Sequence, residues 1–474
     1  MRLLLVEDKA DFAGDIERAI RTIPGCELVW TASRDSALAK LSSEQFDLVL
    51  LDRRIPSADR VLDDHQDHGW RVFQYVKEHL PGTPVWFLTA TEDTDFATDM
   101  NNDHGRSADI HGRGQSEQMY LVCWKRKVAE CINRVREFAL QRAELDRIAL
   151  DVEADTPPLN AAESSVVRMF GRRYQGARVE VKPLNGGLSR SRVLRTVAKN
   201  ASDGPLITAA AKIAPLTDIH DEGQRYRDDV TRLAPGGFPP LSLTIDVGAG
   251  NHGGLFYGMV GDTLESLFQR IAAGHAELAS VPAEIRAIER RWYQAKRVQN
   301  VQVGQIRRKL IGDAALHDVL AHLDSIDIAR VEAISVRAGH CSQHGDLHCA
   351  NVLFAERGQA MLIDFGDVGA SFSALDPVTL ELSTLFHSQH TTLGSDWPTV
   401  EHIDRWVDHA RFVEGCSFAS FITGCRQWAR AEAASPEEVI AIAYAYAVRQ
   451  LKYKDTNKDW ARALIRACIS ALVK

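Results

Sequence analysis

The sequence predicts a doubly wound α/β domain followed by a bilobal α+β domain, with a small β-rich lobe and a larger helical lobe. In residues 1–140, short apolar runs alternate with stretches whose apolar residues recur at helical spacing, which indicates a parallel sheet covered by helices. From about residue 161 the pattern becomes strand-like and rich in glycine, and beyond residue 262 it is mostly helical. A chain of 474 residues has room for about two or three domains.

Composition and charge narrow the class of protein. The formal charge of -8 and the mixing of basic with acidic residues argue against nucleic acid as a partner. No apolar run reaches the roughly 20 residues of a membrane span, and the early acidic residues do not fit a signal peptide. The eight cysteines form no CxxC pair, which is typical of reduced thiols. We therefore expect a soluble cytoplasmic protein that binds neither nucleic acid nor membrane.

Short apolar runs define the first domain. Four of them are expected to form buried parallel strands: LLLV (3–6), DLVLL (47–51), PVWFLT (84–89) and MYLVC (119–123). Helices are expected within 15–23 and 36–41, where apolar residues recur at helical spacing. The polar stretches 56–68 and 92–118 predict long loops.

A helix from about Lys125 to Leu150 is expected next, and the two prolines of 151–160 are expected to end it. The predicted organisation is a first domain, a helical connector and linker, a small lobe and a helical lobe, at residues 1–140, 141–160, 161–260 and 261–474.

Polar side chains stand where the predicted strands end. Glu7 and Asp8 follow the first strand, and Asp52 follows DLVLL. Because the carboxyl ends of parallel strands meet at one edge of a sheet, these carboxylates are expected to converge, and their oxygens suit Mg²⁺. A carboxylate can also attack a phosphoryl donor. Thr89 and Lys125, at two further strand ends, could then pair with the new phosphate.

Three motifs carry a resemblance to a known family. They are VED (6–8), DLVLLDRRIP (47–56) and FLTA (87–90). On these motifs, residues 1–140 resemble a response-regulator receiver domain, which implies a flavodoxin-like fold and a sensor histidine kinase as phosphodonor.

The resemblance also implies roles for individual residues. Asp52 is the expected phosphorylation site, and Glu7, Asp8 and Asp52 are the expected ligands of Mg²⁺. Thr89 is the expected switch hydroxyl, and Lys125 is expected to contact the phosphate. Arg126 follows Lys125 where the family usually has proline, so Lys127 is a competing choice for the lysine.

A second set of motifs indicates phosphoryl transfer to a hydroxyl. HGDLHCAN (344–351) and LIDFGD (362–367) supply what this chemistry requires: a group that orients the hydroxyl and oxygen ligands for Mg²⁺. Asp346 could accept the hydroxyl proton. Asn351 and Asp364 could hold the metal on the phosphates.

These motifs resemble the aminoglycoside phosphotransferase and choline kinase branch of the protein-kinase-like fold, over roughly residues 165–470. The resemblance implies that Asp346 is the catalytic base, assisted by Asn351, and that Asn351 and Asp364 bind Mg²⁺ beside ATP. His344 and His348 are expected to shape the loop.

The ATP cradle is expected upstream. In PLNGGLSRSRVLRTV, Gly186, Gly187 and Ser189 resemble the family's phosphate loop, because adjacent glycines let backbone N–H groups approach phosphate oxygens. Lys212, in the apolar strand AAAKI, resembles the family's lysine that contacts the α- and β-phosphates.

Three further expectations complete this set. Glu222 is the expected acidic partner of Lys212, with Asp221 and Asp228 as alternatives. Met259 is expected at the hinge that holds adenine, and Asp376 is expected to have a structural capping role.

The leading hypothesis is an ATP-dependent phosphotransferase regulated by phosphorylation of the receiver domain. Its acceptor would be a hydroxyl on a small molecule or a protein. The alternative is a catalytically inactive nucleotide-binding scaffold controlled by the receiver domain. A DNA-binding regulator is disfavoured, because the residues after 150 contain no compact helix-turn-helix with a basic recognition helix. Whether the chain forms a homodimer is open.

Overall fold

The computed structural model describes residues 1–90, 96, 100, 106–184, 191–259, 264–323, 327–355, 358–394 and 397–473. The N-terminal domain consists of β1 (Arg2–Val6), α1 (Ala10–Ile20), β2 (Glu27–Thr31), α2 (Arg34–Ser43), β3 (Leu48–Asp52), α3 (Gln66–His79), β4 (Val85–Thr89), β5 (Ser107–Ala108), β6 (Glu117–Gln118), β7 (Tyr120–Trp124) and α4 (Val128–Asp146).

The central sheet of this domain is parallel, with strand order β2-β1-β3-β4-β7. The residues of β3 and β4 are all buried, as expected for strands covered by helices on both faces. The predicted doubly wound fold is therefore confirmed.

Three local differences from the predicted elements have physical reasons. Strand β2 was not predicted, because its apolar run is only three residues long, and four of its five residues are exposed or half-buried. The stretch 56–68 closes against the domain through a bridge between Ile55 and His65, and α3 already begins at Gln66. Within 92–118, the described residues include the short antiparallel pair β5 and β6.

The helix expected over Lys125–Leu150 is shorter than predicted. Residues Lys125–Lys127 form a 3₁₀ turn, and α4 ends at Asp146. Ala149–Val152 forms a strand, β8, which pairs in parallel with the next strand. The stretch 141–160, predicted as a helical connector and linker, thus also contributes a strand to the next sheet.

The small lobe is built on that sheet. After β8 come α5 (Ala161–Arg173), β9 (Arg178–Pro183), β10 (Arg192–Lys199), β11 (Pro205–Pro215), α6 (Leu216–Asp228), β12 (Leu241–Ile245) and β13 (His252–Gly258). The strand order is β12-β13-β11-β10-β9-β8. Helix α5 starts with a capping box in which Asn160 and Glu163 satisfy each other's backbone N–H groups.

The helical lobe contains β14 (Leu264–Ser266), α7 (Leu267–Ala272), α8 (Val281–Ile288), α9 (Arg290–Gln294), β15 (Arg297–Gln302), α10 (Val303–Leu310), α11 (Asp313–His317), α12 (Ile328–Glu332), β16 (Ser335–Gln343), β17 (Val352–Ala355), β18 (Ala360–Leu362), β19 (Gly369–Phe372), α13 (Leu375–Phe386), α14 (Val400–Asp404), α15 (His409–Phe412), α16 (Ala419–Glu432), α17 (Pro436–Gln450) and α18 (Lys458–Leu472). Its core includes a buried ion pair in which Arg426 binds Glu381.

The chain divides into two compact units. One contains residues 1–220 and 240–259, and the other contains residues 221–239 and 260–474. The N-terminal domain and the sheet of the small lobe therefore belong to one unit, whereas most of α6 belongs to the other. No helix within the described ranges is long and apolar enough to cross a membrane, and the eight cysteines are free thiols.

Candidate functional site

The first candidate site lies where β1 and β3 end. Glu7 and Asp8 follow β1 directly, and Asp52 is the last residue of β3. One oxygen from each of these carboxylates lies within 4.8 Å of the others. Glu7 and Asp52 are buried, and Asp8 is half-buried. The parallel sheet thus brings together the three acids that the sequence motifs pointed to.

One ammonium group contacts this cluster. The Nζ atom of Lys125 lies 2.6 Å from Asp52 Oδ2 and 2.6 Å from Glu7 Oε2. Lys127, the competing choice, instead pairs with Glu130 at 3.2 Å. The 3₁₀ turn that follows β7 therefore directs Lys125, rather than Lys127, to the carboxylates.

The negative charge of the cluster exceeds what this single ammonium group can balance. Burial, and next the charge of Asp52, raise the pKa of Glu7 to about 7, although Lys125 opposes the shift. Burial also raises the pKa of Asp52, again against Lys125. Burial lowers the pKa of Lys125, but Asp52 and Glu7 outweigh that effect and raise it. A buried set of three carboxylate oxygens with one ammonium group fits a divalent cation such as Mg²⁺.

Thr89 occupies the end of the neighbouring strand. It is 5% exposed. Because Asp52 is paired with Leu88 across the β3–β4 ladder, Thr89 lies one residue beyond Asp52 at the same sheet edge. This position is compatible with the predicted switch role, which stays a prediction.

The second candidate site is the loop after β16. Its backbone is held by Asp376, a fully buried residue in the first turn of α13. Asp376 Oδ2 accepts from His344 N at 2.6 Å, and Oδ1 accepts from Gly345 N at 3.0 Å. Burial raises the pKa of Asp376 to about 6, although these N–H groups and His344 favour the ionised form. Asp376 thus fixes the two residues that precede Asp346.

Glycine is required within this loop. Gly345 has a φ of +86°, and a Cβ atom there would lie 2.5 Å from the carbonyl oxygen of Asp367. The loop is therefore packed closely against the LIDFGD segment.

Asn351 and Asp364 flank Asp346. Asn351 Nδ2 donates to the Asp346 carbonyl oxygen at 3.0 Å, which directs the amide oxygen away from it. Ile363 N donates to the Asn351 carbonyl at 3.0 Å, and the next residue, Asp364, has a φ of +63°. Left-handed backbone is uncommon outside glycine and is concentrated at functional sites. An amide oxygen and a carboxylate on bonded neighbouring segments fit Mg²⁺ ligation.

The two histidines of the loop have different surroundings. His344 Nε2 lies 2.9 Å from the carbonyl oxygen of Ile363, so its ring braces the two motifs against each other. His348 Nε2 lies 3.7 Å from Asp346 Oδ2. Burial lowers the pKa of His348, and Asp346 opposes that shift.

The nucleotide-binding candidates are only partly described. Gly186, Gly187 and Ser189 lie outside the described residues. Lys212 is half-buried on β11, opposite Val193 of β10.

Among the three acids proposed as partners of Lys212, Glu222 is buried, whereas Asp221 and Asp228 are exposed. Asp221 binds Arg225 at 2.9 Å along its own helix. Met259 directly follows β13.

Two protein-family models match separate parts of the chain. Residues 3–105 match the model of the response regulator receiver domain, and residues 180–381 match that of the phosphotransferase enzyme family. The chain joins a receiver domain to a phosphotransferase domain. Both resemblances drawn from the motifs are thereby confirmed over these residues.

Several solved structures are similar to parts of the chain. A CheY-like receiver domain protein from Methanospirillum hungatei JF-1 is 17% identical, with a TM-score of 0.22, over 30% of this chain and 97% of that one. Choline kinase LicA from Streptococcus pneumoniae is 15% identical, with a TM-score of 0.30, over 62% and 92%. A thermostable mutant of aminoglycoside phosphotransferase APH(4)-Ia, in complex with ADP and hygromycin B, is 10% identical, with a TM-score of 0.36, over 65% and 98%. No curated protein matches the chain.

Backbone hydrogen bonds join the receiver domain to the small lobe. Gly82, three residues before β4, donates to the Gly250 carbonyl and accepts from Gly248 N, both at 2.9 Å. A Cβ atom at Gly82 would lie 2.6 Å from the Gly250 oxygen. Any larger residue at Gly82 would therefore force these two loops apart.

Side chains extend this junction. Arg106 of the receiver domain lies 3.2 Å from Asp246 of the small lobe. Arg142, on α4, pairs with Asp47 at 3.3 Å and donates to Ser165 Oγ at 2.6 Å. The junction therefore combines backbone pairing with charged contacts.

One buried histidine at the junction lies among cations. His111 is 1% exposed. Burial, followed by the charges of Arg172, Arg113 and Arg142, lowers the pKa of His111 to about 3. The nearest carboxylate oxygen of Glu117 is 3.7 Å from His111 Nε2.

One residue that contacts Asp346 was not predicted from the sequence. Arg449, in the last turn of α17, lies 3.4 Å from Asp346 Oδ1 through both terminal nitrogens. No motif signals it, because it lies 103 residues beyond Asp346 in a helix whose residues are mostly apolar.

Proposed function

We propose that Asp52 of the receiver domain accepts a phosphoryl group from a sensor histidine kinase, and that this modification regulates an ATP-dependent phosphotransferase with Asp346 as its base. The protein would act in the cytoplasm, where ATP and the kinase's phosphohistidine are available. The observation that carries the proposal is that each half of the chain presents its reactive carboxylate among the groups that its chemistry requires.

In the receiver half, a carboxylate oxygen of Asp52 would form a bond to phosphorus as the phosphorus–nitrogen bond of the phosphohistidine breaks. Glu7, Asp8 and Asp52 would hold Mg²⁺, which supplies positive charge to the phosphoryl oxygens. Lys125, already 2.6 Å from Asp52, is positioned to pair with the product phosphate.

In the phosphotransferase half, Asp346 would take the proton of an acceptor hydroxyl. The acceptor oxygen forms a bond to the γ-phosphorus, the bond to the β–γ bridging oxygen breaks, and ADP leaves. Asn351 and Asp364 would hold Mg²⁺, which neutralises charge on the phosphates. Asp376 supports this assignment, because its two backbone contacts hold the loop that carries Asp346.

The nucleotide would lie against the small lobe. Lys212, supported by Glu222, would contact the α- and β-phosphates, and Met259 would lie at the adenine hinge. Gly186, Gly187 and Ser189 are proposed as the phosphate loop on their motif alone.

Regulation is proposed to pass along β4. This strand ends at Thr89 and begins just after Gly82, the residue bonded to Gly248 and Gly250 of the small lobe. A hydroxyl that turns toward phosphorylated Asp52 would therefore act on a strand already attached to the nucleotide-binding lobe.

Turnover measurements test both parts of the proposal. Phosphotransfer from labelled ATP should require Asp346 and should change when acetyl phosphate is added to the wild type but not to Asp52→Asn. Gly82→Ala should weaken that response, whereas Gly312→Ala, where a Cβ atom meets open space, should not. Equal rates with and without acetyl phosphate would remove the regulatory part. Nucleotide binding without turnover would instead support the inactive scaffold.

A further inference from the structure

The carboxylate of Asp346 lies between two nitrogen groups. Both terminal nitrogens of Arg449 are 3.4 Å from its Oδ1, and His348 Nε2 is 3.7 Å from its Oδ2. Arginine keeps its charge at any physiological pH. The proposed base therefore shares its surroundings with a permanent cation.

The guanidinium of Arg449 is held in place by a second contact. Its Nε donates to the hydroxyl oxygen of Tyr453 at 3.1 Å. The distances of 3.4 Å to Asp346 are longer than the roughly 2.7–2.9 Å of a strong charge-assisted hydrogen bond. A guanidinium has five N–H groups, so one N–H on each terminal nitrogen remains for a ligand. The Arg449 side chain is 25% exposed, which leaves it accessible.

Aromatic and imidazole rings pack in series beyond His348. The rings of His348 and His387 are 4.5 Å apart, and His387 stacks on Phe268 at 5.0 Å. His390 lies 5.8 Å from Trp460.

The turn after α17 adds charge to the same region. Lys452 and Lys454 are exposed there, with Asp455 as the acidic residue of that turn. Within this described turn, the cations outnumber the anions by two to one.

Resting on the proposed function, we propose that the phosphate acceptor carries an anionic group, a carboxylate or a phosphate, which Arg449 binds beside the hydroxyl that Asp346 deprotonates. Either of the two remaining N–H groups can donate a charge-assisted hydrogen bond to an oxygen of such a group. Binding the anion there would place the hydroxyl at the base in a fixed orientation.

The acceptor class can be measured without knowing the acceptor. A small-molecule extract of bacterial cells is separated by ion exchange into cationic, neutral and anionic pools, and each is incubated with full-length protein, Mg²⁺ and γ-labelled ATP. We expect label to enter compounds of the anionic pool. Label in the cationic or neutral pool, or only in proteins, would overturn the inference but leave the phosphotransferase intact. No transfer to any pool, with Asp346→Asn identical to the wild type, would remove the proposed function and the inference with it.

Variants of Arg449 distinguish acceptor binding from a structural role. Arg449→Gln should raise KM for the labelled acceptor about 10- to 100-fold with KM for ATP unchanged, and Arg449→Lys should fall between it and the wild type. Arg466→Gln, at an exposed arginine paired with Asp404, is the matched control and should have no effect. A loss of kcat with unchanged acceptor KM, or faster turnover in Arg449→Gln, would contradict acceptor binding.

Discussion

The two carboxylates proposed to react, Asp52 and Asp346, have their charges balanced in opposite ways. Asp52 is 5% exposed. It shares the ammonium group of Lys125 with Glu7, and the carboxylate of Asp8 lies nearby, so its surroundings hold excess negative charge. The side chain of Asp346 is 33% exposed and has a guanidinium and an imidazole beside it. The first arrangement suits a carboxylate that binds a metal ion and becomes phosphorylated itself. The second suits a base that must reach an external hydroxyl.

The largest expected effect would come from removing the base. Asp346→Asn should lower kcat by about 10²- to 10⁴-fold, because the hydroxyl proton loses its acceptor, while the affinity for ATP stays the same. Labelled-phosphate transfer and nucleotide titration measure the two quantities. Asp455→Asn, at an exposed acid on the neighbouring turn, should behave like the wild type. Full turnover in Asp346→Asn would show that this carboxylate is not the base.

Removing the ammonium group would break the balance on the receiver side. Lys125→Met leaves the carboxylates of Glu7 and Asp52 buried without their cation, so the metal-free receiver domain should lose about 3 kcal/mol of stability. Mg²⁺ should raise the unfolding temperature of this variant more than that of the wild type, as measured by calorimetry. Lys127→Met, whose lysine pairs with Glu130, is the control. Equal stabilisation by Mg²⁺ in all three proteins would argue against a cation site at these carboxylates.

A smaller effect is expected from removing Asp376, whose carboxylate accepts backbone hydrogen bonds and takes no part in the proposed reaction. Asp376→Ala leaves the N–H groups of His344 and Gly345 without an acceptor and should cost about 2 kcal/mol of stability. Because these residues precede Asp346, kcat should fall as well. Urea denaturation and turnover assays measure both effects, and Asp376→Asn, which keeps one acceptor, should lose less of each. An unchanged kcat in Asp376→Ala would show that turnover does not depend on the backbone contacts of Asp376.

The smallest expected effect concerns a buried group that no carboxylate neutralises closely. The pKa of His111 is about 3 in the folded protein, below its ordinary value of 6.5, so the unfolded chain binds the proton first as pH falls. Stability is therefore complete above pH 6.5 and decreases as pH falls toward 3, by about 2 kcal/mol at pH 5.

His111→Gln should remove this pH dependence from the unit that contains the receiver domain, whereas His317→Gln, at an exposed histidine, should not. Unfolding temperatures at pH 7 and pH 5 measure the difference. A similar decrease in His111→Gln would assign the acid sensitivity to other groups.

The features that the sequence predicted best follow from simple geometry. The convergence of Glu7, Asp8 and Asp52 could be predicted from the sequence, because parallel strands place their carboxyl ends at one edge of the sheet. Spacing within a single loop likewise indicated that Asn351 would lie beside Asp346.

Features that depend on distant pairing could not be predicted in this way. Strand β8 is short and mostly exposed, and only its ladder with β9 makes it a strand. Arg449 approaches Asp346 through the packing of a helix whose own pattern is mostly apolar. The hydrogen bond between Gly82 and Gly250 joins residues that are distant in sequence, and no local motif predicts it.

Strand β8 also determines where the chain can be cut. It forms the outer edge of the small-lobe sheet, next to β9. A fragment that begins after residue 152 would lack β8 and expose the unpaired backbone of β9. Because an exposed strand edge can pair with a strand of another molecule, this fragment should aggregate. A fragment of the phosphotransferase half that starts before Ala149 should remain dispersed at concentrations where the shorter one precipitates.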